Sequence, residues 1–269
     1  MISIIIPTSN EAEFLPATLS AASVGCRHEV LVVDVQSTDQ TVAIARAHGA
    51  RVVSGPIRQR AAQMNLGAEL ARGEVLLFLH GDTILPAGAL TQIERALSDP
   101  HVIGGAFARR YDSRSRLLRV TCMLAYVRGR MSGWFLGDQA MFVRADVFRK
   151  FGGFRDLALF EDLDFSRRLR SQGRTVILRP AVISAARRFE RRGPWRTTWN
   201  DFVLTCRYLR SGAAVRFLPV KAPIFAPSKM GTEQRRSLQT KTAARSSEGN
   251  STSGLGNFAS PGSDHSTRL

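Results

Sequence analysis

The first hundred residues alternate between short apolar runs and amphipathic segments, and this alternation limits the fold more than any other feature. The pattern predicts strands at residues 2–6, 30–34, 51–54 and 74–80, and helices at residues 11–22, 38–48, 59–72 and 86–98. Ser9 or Asn10 is placed to cap the first helix. Strands that alternate with helices predict an α/β fold with a mostly parallel sheet covered by helices on both faces.

The composition changes along the chain and suggests three parts. Residues 1–108 hold the alternating pattern, residues 109–225 are less regular and rich in arginine, and residues 226–269 are rich in Ser, Thr and Gly. The last part has few apolar residues and is predicted to be a disordered tail. The net charge is +16, and most of the basic excess falls in the second part.

Such a basic field attracts anions, among them phospholipid head groups and phosphorylated substrates. A solvated basic surface with no ligand is the alternative interpretation, and the sequence leaves both open. We expect no nucleic-acid partner, because no zinc finger, helix-turn-helix or aromatic RNA-binding signature accompanies the charge.

Neither membrane spans nor disulfides are expected from the sequence. The apolar runs are far shorter than the ~20 residues that cross a bilayer, and the apolar N-terminus lacks a basic leader and is typical of a strand. The three cysteines, Cys26, Cys122 and Cys206, are scattered and form no metal motif. This usage fits a reducing, cytoplasmic environment.

Acidic residues form three clusters, two of which directly follow predicted strands. His80-Gly81-Asp82 comes directly after an apolar strand, Asp34 and Asp39 follow the strand at residues 30–34, and Glu161-Asp162 precedes a later helix. Ligands of open α/β sheets bind outside the carboxyl ends of the strands. The three clusters therefore predict a site that handles a metal, a nucleotide or a proton.

These acidic clusters stand within a series of motifs that resembles the family-2 glycosyltransferases of the GT-A fold. In order along the chain, the matching segments are Pro7-Thr8-Ser9-Asn10-Glu11, Val33-Asp34-Val35-Gln36-Ser37-Thr38-Asp39, Asn65-Leu66-Gly67, Phe78-Leu79-His80-Gly81-Asp82, Gly137-Asp138-Gln139 and Phe160-Glu161-Asp162. Residues 58–65 and 187–190 are most similar to a bacterial "transferase 2" subgroup. The resemblance implies a GT-A, Rossmann-like domain whose residues 1–108 bind a nucleotide-sugar and whose residues 109–225 bind the acceptor.

The resemblance also implies the residues that hold the donor. In the family the first loops bind the nucleoside, with Asp34 accepting a hydrogen bond from the base, most often uracil. The donor residues implied here are Pro7, Thr8, Glu11, Asp34, Asp39, Arg60, Gln63, Asn65 and Gly81. The alternatives are structural: Asn10 and Glu11 as the start of a helix, and Arg60, Gln63 and Asn65 as a polar helix surface.

The metal, the base and the acceptor side follow from the same resemblance. Asp82 would bind Mn²⁺ or Mg²⁺, with His80 in place of the first acid of the family's Asp-x-Asp triplet. Asp162 would be the general base, supported by Glu161, unless the two acids only satisfy a helix N-terminus. Gly137, Asp138 and Gln139 would line the acceptor side.

The chain departs from the family at two places. Val35-Gln36 stands where many members have glycine, and a β-branched residue does not readily adopt a positive φ. The Gln-x-x-Arg-Trp motif that closes over the acceptor is missing, and residues 187–190 and 193–196 are basic segments that could replace it.

Taken together, these features predict a metal-dependent inverting glycosyltransferase that moves a sugar from a UDP-sugar to a hydroxyl of a lipid or glycan. A nucleotidyltransferase is disfavoured, because the loop after the first strand lacks a Gly-rich basic signature. A non-catalytic module that binds a nucleotide-sugar or a membrane surface remains the other alternative.

Residues 117–135 and 199–218 interleave large apolar side chains with arginines. Both segments predict basic amphipathic helices, which could lie on the anionic inner face of a membrane. The alternative is a pair of ordinary helices whose apolar faces pack on the core.

Overall fold

The computed structural model describes residues 1–25, 27–55, 57–157 and 159–210. Its strands are β1 (Ile2–Thr8), β2 (His28–Asp34), β3 (Arg51–Ser54), β4 (Val75–Phe78), β5 (Thr83–Ile84), β6 (Val102–Asp112), β7 (Met141–Arg144) and β8 (Arg174–Ala185). Its helices are α1 (Leu15–Ala22), α2 (Thr41–Ala47), α3 (Arg60–Leu70), α4 (Ala89–Leu97), α5 (Arg116–Ser132), α6 (Ala145–Lys150), α7 (Glu161–Arg170), α8 (Arg187–Arg192) and α9 (Pro194–Arg210). A single 3₁₀ turn, Gly137–Gln139, precedes β7.

The strands form one mixed sheet in the order β3-β2-β1-β4-β7-β6-β8-β5. The pairs β1/β2, β1/β4, β2/β3 and β6/β8 are parallel, whereas β4/β7, β6/β7 and β5/β8 are antiparallel. This arrangement confirms the predicted α/β class with a mostly parallel sheet flanked by helices. Every antiparallel pair includes β7 or β8, which follow the part of the chain with the alternating sequence pattern.

The central strands are buried on both faces, which explains their unbroken apolar sequences. On one face, Ile4 and Leu77 pack in a core with residues of α1 and α4 such as Leu19 and Ile93. On the other face lies an aromatic cluster of Phe78, Phe148, Phe154 and Phe165, with ring centroids 4.8–5.3 Å apart. The two cores fix the sheet that carries the acidic loops.

The start of the first helix differs from its prediction. Helix α1 begins at Leu15 after Phe14, with no side-chain cap, so the predicted cap at Ser9 or Asn10 is wrong. Asn10 instead adopts a left-handed backbone (φ 57°). Its Oδ1 accepts a hydrogen bond from the Thr38 amide (2.8 Å). The polar residue that resembled a cap therefore joins two loops.

Several other expectations meet the limits of the described residues. Helix α9 starts earlier than predicted, and residues 211–218 of the predicted helix lie outside the described part of the chain, as do Cys26 and the predicted tail at residues 226–269. Cys122 and Cys206 carry free thiols. No helix among the described residues has the length and apolar character of a membrane span.

The topology gathers the acidic loops at one edge of the sheet. Strands β1, β2 and β4 are parallel, so their carboxyl ends lie together. Strand β7 runs antiparallel to β4, with Met141 opposite Phe78. The 3₁₀ turn just before Met141 is therefore brought to the same edge as the end of β4.

Candidate active site

The loops that follow β1 and β2 are joined by side-chain hydrogen bonds. The Thr8 hydroxyl donates to Asp34 Oδ1 (3.0 Å), and the Ser37 amide donates to Asp34 Oδ2 (3.2 Å). The Asp34 side chain is buried, and its carboxylate oxygens have lone pairs left for a further donor. The structure thus holds Asp34 in one orientation beside Thr8, and it brings these two predicted donor residues together.

Asp39 also joins the loops that follow β1 and β2, through hydrogen bonds at the exposed side of these loops. Its Oδ2 accepts from the Ala12 amide (3.1 Å) and its Oδ1 from the Thr41 amide (3.0 Å). Hydrogen bonds from Thr41 hold the pKa of the Asp39 carboxyl below its ordinary value. Asp39 therefore fixes the first loop against α2.

Helix α3 carries three predicted donor residues that lie in different surroundings. Gln63 is buried, and its Nε2 donates to the Thr8 and Val33 carbonyls (2.9 and 2.8 Å). Asn65 is also buried, and its amide exchanges two hydrogen bonds with the Phe154 backbone (2.8 and 2.9 Å). Both amides are engaged with the backbone, as the structural alternative expects, and their contact with the diphosphate or the sugar stays a prediction.

Arg60 begins α3 and faces the acidic pair of α7. Its side chain is 52% exposed, and its Nη1 lies 3.6 Å from Glu161 Oε1. The Arg60 guanidinium is therefore the member of the predicted set that remains available to a bound anion.

Arg187, from the second half of the chain, contacts one acid in the loop after β1 and one acid in the loop after β4. Arg187 Nη2 lies 2.7 Å from Glu11 Oε1 and 3.2 Å from Asp82 Oδ2. Gly81 packs closely against Glu11, because a Cβ added at Gly81 would stand 3.3 Å from Glu11 Cγ. Burial raises the pKa of Glu11, although the hydrogen bond from Arg187 opposes that rise. The structure thus brings Glu11, Gly81 and Asp82 together around one cation.

The residues at this point fit a divalent cation only in part. Glu11 Oε2 is buried without a hydrogen-bond partner, and the Asp82 side chain is 19% exposed beside it. Among the described residues, however, no group of three or more His, Cys, Asp and Glu is arranged to hold a metal ion. Mg²⁺ and similar ions often take only one or two carboxylates and fill their remaining positions with substrate phosphates and water. Asp82 and Glu11 fit such a shared site.

The His80 ring lies against the turn before β7 and borders the same glycine as Asp162. A Cβ added to Gly137 would lie 2.6 Å from His80 Nε2 and 3.0 Å from Asp162 Oδ2, so both atoms border the same glycine. The Nε2 atom is shielded from solvent and has no hydrogen-bond partner. Burial, followed by the charge of Arg60, lowers the pKa of His80 to about 3, and the ring is therefore neutral.

The acidic pair at the start of α7 is buried and close to both His80 and Arg60. Glu161 is 4% exposed and Asp162 is 9% exposed. The Gly137 amide donates to Asp162 Oδ2, and the Leu163 amide donates to Asp162 Oδ1 (2.6 Å). Burial raises the pKa of both carboxyls, that of Glu161 to about 7, where the charge of Asp162 adds to the effect. A carboxylate with a raised pKa is a stronger base.

The other residues of the turn before β7 have structural partners. Asp138 Oδ2 accepts from Arg109 and from the Tyr111 hydroxyl (2.7 Å). Burial alone would raise the pKa of Asp138, but the Arg109 guanidinium and its hydrogen bond lower it to about 2. Gln139 is fully buried, and its Nε2 donates to the Phe107 carbonyl (3.1 Å). The Gln139 side chain therefore has a structural role, and its contact with an acceptor stays a prediction.

Two features of the site were not found by reasoning from the sequence. The partners of Asp138, Arg109 and Tyr111, lie on β6 far from any recognised motif. The positive φ expected near Val35 falls on Gln36 (φ 52°), which is not β-branched, while Val35 is buried. The loop therefore forms its left-handed turn without glycine, one residue beyond the β-branched position.

Comparison with known proteins identifies the family of the chain. The model of glycosyl transferase family 2 matches residues 3–154. The chain belongs to this family. It is 35% identical over 92 residues to an uncharacterized glycosyltransferase of Mycobacterium tuberculosis, covering 34% of this chain and 41% of that protein. It is 28% identical over 157 residues to the undecaprenyl-phosphate 4-deoxy-4-formamido-L-arabinose transferase of Sodalis glossinidius, covering 54% of this chain and 48% of that enzyme.

Solved structures share the fold of this family-2 chain. Staphylococcus aureus TarS, residues 1–349, matches with a TM-score of 0.56 and 19% identity over 69% of this chain and 60% of that one. The mannosyltransferase PcManGT of Pyrobaculum calidifontis, in complex with GDP-Man and Mn²⁺, matches with a TM-score of 0.56 and 22% identity over 68% of this chain and 56% of that one. The predicted GT-A fold is confirmed, and the chain spans less than half the length of the two curated relatives from Mycobacterium tuberculosis and Sodalis glossinidius.

Proposed function

We propose that the protein is an inverting glycosyltransferase that transfers a sugar from a nucleotide-sugar, UDP-linked, to a hydroxyl group of a lipid or glycan acceptor. The observation that carries the proposal is the convergence of Glu11, Asp82, Glu161 and Asp162 at one edge of the sheet, with Arg60 and Arg187 among them. A nucleotide-sugar needs such a site, because its diphosphate is anionic and its anomeric carbon must meet a base.

The first loops suit the nucleoside of the donor. Pro7 and Thr8 end β1, and Asp34 ends β2 directly opposite Thr8 in the parallel pair. In the proposal Asp34 accepts a hydrogen bond from the base, and Thr8 and Ser37 hold the carboxylate in place for it. In the proposal Gln63 and Asp39 do not contact the donor themselves but fix the two loops to each other.

The diphosphate would lie near Asp82, where the chain offers both a carboxylate for a metal and the guanidinium of Arg187. Asp82, assisted by Glu11, would hold Mn²⁺ or Mg²⁺, which when bound neutralises the negative charge on the leaving diphosphate. Arg187 and the half-exposed Arg60 place two guanidinium groups beside the same anion. His80 faces Gly137 and Asp162, so we place it beside the base and not on the metal.

Asp162 is the proposed base. Two backbone amides fix its carboxylate, and burial raises its pKa, so it is directed and able to take the proton of the acceptor hydroxyl. The hydroxyl oxygen then bonds to the anomeric carbon as the bond from that carbon to the diphosphate breaks, which inverts the configuration in one displacement. Glu161, with its pKa near 7, supports the site as a carboxyl that is partly protonated at neutral pH.

A binding screen followed by two variants tests this function. Thermal shift with UDP and GDP, each with Mn²⁺ or Mg²⁺, identifies the base and the ion, because a bound ligand stabilises the folded state by mass action. Slow hydrolysis of the matching nucleotide-sugar then reports on the site. We expect Asp82→Ala to abolish metal-dependent hydrolysis, and Asp162→Asn to abolish transfer while donor binding persists.

The matched control is Asp146→Ala, which removes an exposed aspartate from the first turn of α6. Its binding and hydrolysis should equal those of the wild type. A wild-type protein that binds no nucleoside diphosphate, or an Asp162→Asn variant that transfers at the wild-type rate, would refute the proposal.

A further inference from the structure

Helix α5 has an apolar face that points away from the protein. Its exposed positions recur every three or four residues, which places them on one side of the helix. The apolar members of this exposed side are Val120 (48% exposed), Met123 (59%), Leu124 (58%), Val127 (44%) and Met131 (79%). The outward side of a helix in a water-facing domain is normally polar, so this face needs a partner.

Helix α9 packs beside α5 and repeats the pattern with aromatic residues. Trp195 is 74% exposed, Trp199 68% and Phe202 57%, and the Trp199 and Phe202 rings lie 5.9 Å apart. Their spacing places all three on one side of the helix. Tryptophan is enriched where a protein meets the boundary between lipid tails and water, because its ring is apolar and its N–H is polar.

The charges beside these two faces have one sign. The exposed arginines of the two helices are Arg116, Arg119, Arg130, Arg196, Arg207 and Arg210. Helix α5 contains no carboxylate, and the single acid of α9, Asp201, is paired with Arg188. A second copy of the chain would set arginines against arginines across a symmetric interface, which disfavours a dimer through these faces.

A cleft lies beside the start of α5 and reaches Tyr111 of β6. It has a volume of about 610 Å³, and α5 lines it with Leu118, Arg119 and Cys122. Its opposite wall includes Tyr111, whose hydroxyl bonds to Asp138 in the turn beside Asp162. The start of α5 is therefore linked to the acceptor side of the site through the hydrogen bond from Tyr111 to Asp138.

We propose that the exposed faces of α5 and α9 form a docking surface for an anionic lipid bilayer. The apolar side chains enter the boundary between head groups and tails, and the arginines bind the acidic head groups. The inference deepens the proposed function and rests on it in one respect only, the delivery of a lipid-borne acceptor through the cleft. Binding to the bilayer itself requires no transfer reaction.

The test is flotation of the full-length protein with liposomes of phosphatidylcholine alone or with added phosphatidylglycerol. We expect the wild type to float with the anionic liposomes, and high salt to weaken its binding because the charges are screened. The variant Leu124→Glu/Trp199→Glu places a charge on each helix face and should lower the bound fraction roughly tenfold or more. Val24→Glu is the matched control, since Val24 is 65% exposed and lies outside the docking surface.

Three results would overturn the inference. One is a wild type that floats with neither liposome, and another is a control that loses binding as strongly as the double variant. The third is a double variant that floats normally but changes from dimer to monomer in light scattering, which would make the face a contact between copies. Hydrolysis of the nucleotide-sugar without liposomes should be unchanged in the double variant. If no protein, the wild type included, hydrolyses the nucleotide-sugar, that result counts against the proposed function and leaves the bilayer inference standing.

Discussion

The substitution Glu161→Gln should make the protein more stable and less active, and the gain in stability should depend on pH. Glu161 is 4% exposed, and burial together with Asp162 raises its pKa from 4.5 to about 7. Below pH 4.5 the carboxyl is protonated in both the folded and the unfolded chain, and glutamine resembles it. Between 4.5 and 7 the unfolded chain releases the proton while the folded chain keeps it.

The wild type therefore loses stability relative to the variant as the pH rises through this window. A pKa difference of this size corresponds to roughly 3 kcal/mol of unfolding free energy, reached once the pH exceeds 7. The loss of the Arg60 contact reduces the gain by a smaller amount, because Arg60 is 52% exposed and such contacts contribute little.

Urea denaturation at 25 °C, followed by circular dichroism from pH 4.5 to 8, measures the effect. The difference between Glu161→Gln and wild type should rise from near zero to its full value across that range. Glu69→Gln, at an exposed glutamate of α3, is the control and should give a flat difference. A flat difference for Glu161→Gln as well would refute the reasoning that burial and the charge of Asp162 raise the pKa of this carboxyl. The expected fall in transfer activity would make Glu161 a case of stability given up for function.

Arg187→Ala leaves the Asp82 carboxylate without its cation. Calorimetry in the absence of nucleotide should therefore show that the variant binds Mn²⁺ roughly tenfold more tightly than the wild type. Equal affinities would contradict this expectation. Asp138→Asn leaves the buried Arg109 unpaired and should cost about 3 kcal/mol of unfolding free energy. Tyr111→Phe, which removes one hydrogen bond to the same carboxylate, should cost about 1 kcal/mol, and similar losses for the two variants would argue against a buried ion pair. Arg109 outweighs burial and lowers the pKa of Asp138 from 3.8 to about 2, so wild type and Asp138→Asn should converge in acid denaturation as the pH falls through that interval.

The sequence predicted the strand ends well and the surroundings of the side chains less well. The edge that joins Asp34 with Asp82 follows from parallel strands, and the alternating pattern was enough to predict it. The roles of Gln63 and Asn65 depended on whether the polar side of α3 faces solvent or protein. Gln63 donates to the Val33 carbonyl and Asn65 donates to the Phe154 carbonyl, so these side chains face the protein. A sequence pattern alone does not show that these groups are neighbours.

Gln139, which lies in a recognised motif, is a second case in which the sequence did not show the surroundings of a side chain. The resemblance predicted a contact with the acceptor, but the side chain is fully buried and satisfies the Phe107 carbonyl. Arg187 illustrates the opposite case, since its segment was noticed but its partner was not. The ion pair joins residues 176 positions apart, and only the fold of β8 back onto the sheet brings them together.

The position of β5 has a consequence for the order in which this protein folds. β5 begins directly after Asp82, and its one neighbour in the described sheet is β8, where Thr83 meets Ser184 across 101 positions of sequence. Contacts so distant in sequence form slowly, because a long loop must close first. On the ribosome, where the N-terminal part emerges first, the loops of Thr8 and Asp34 can assemble early. A nascent chain that stops before β8 would leave the Asp82 segment unpaired, so the acidic edge is completed only in the later part of synthesis.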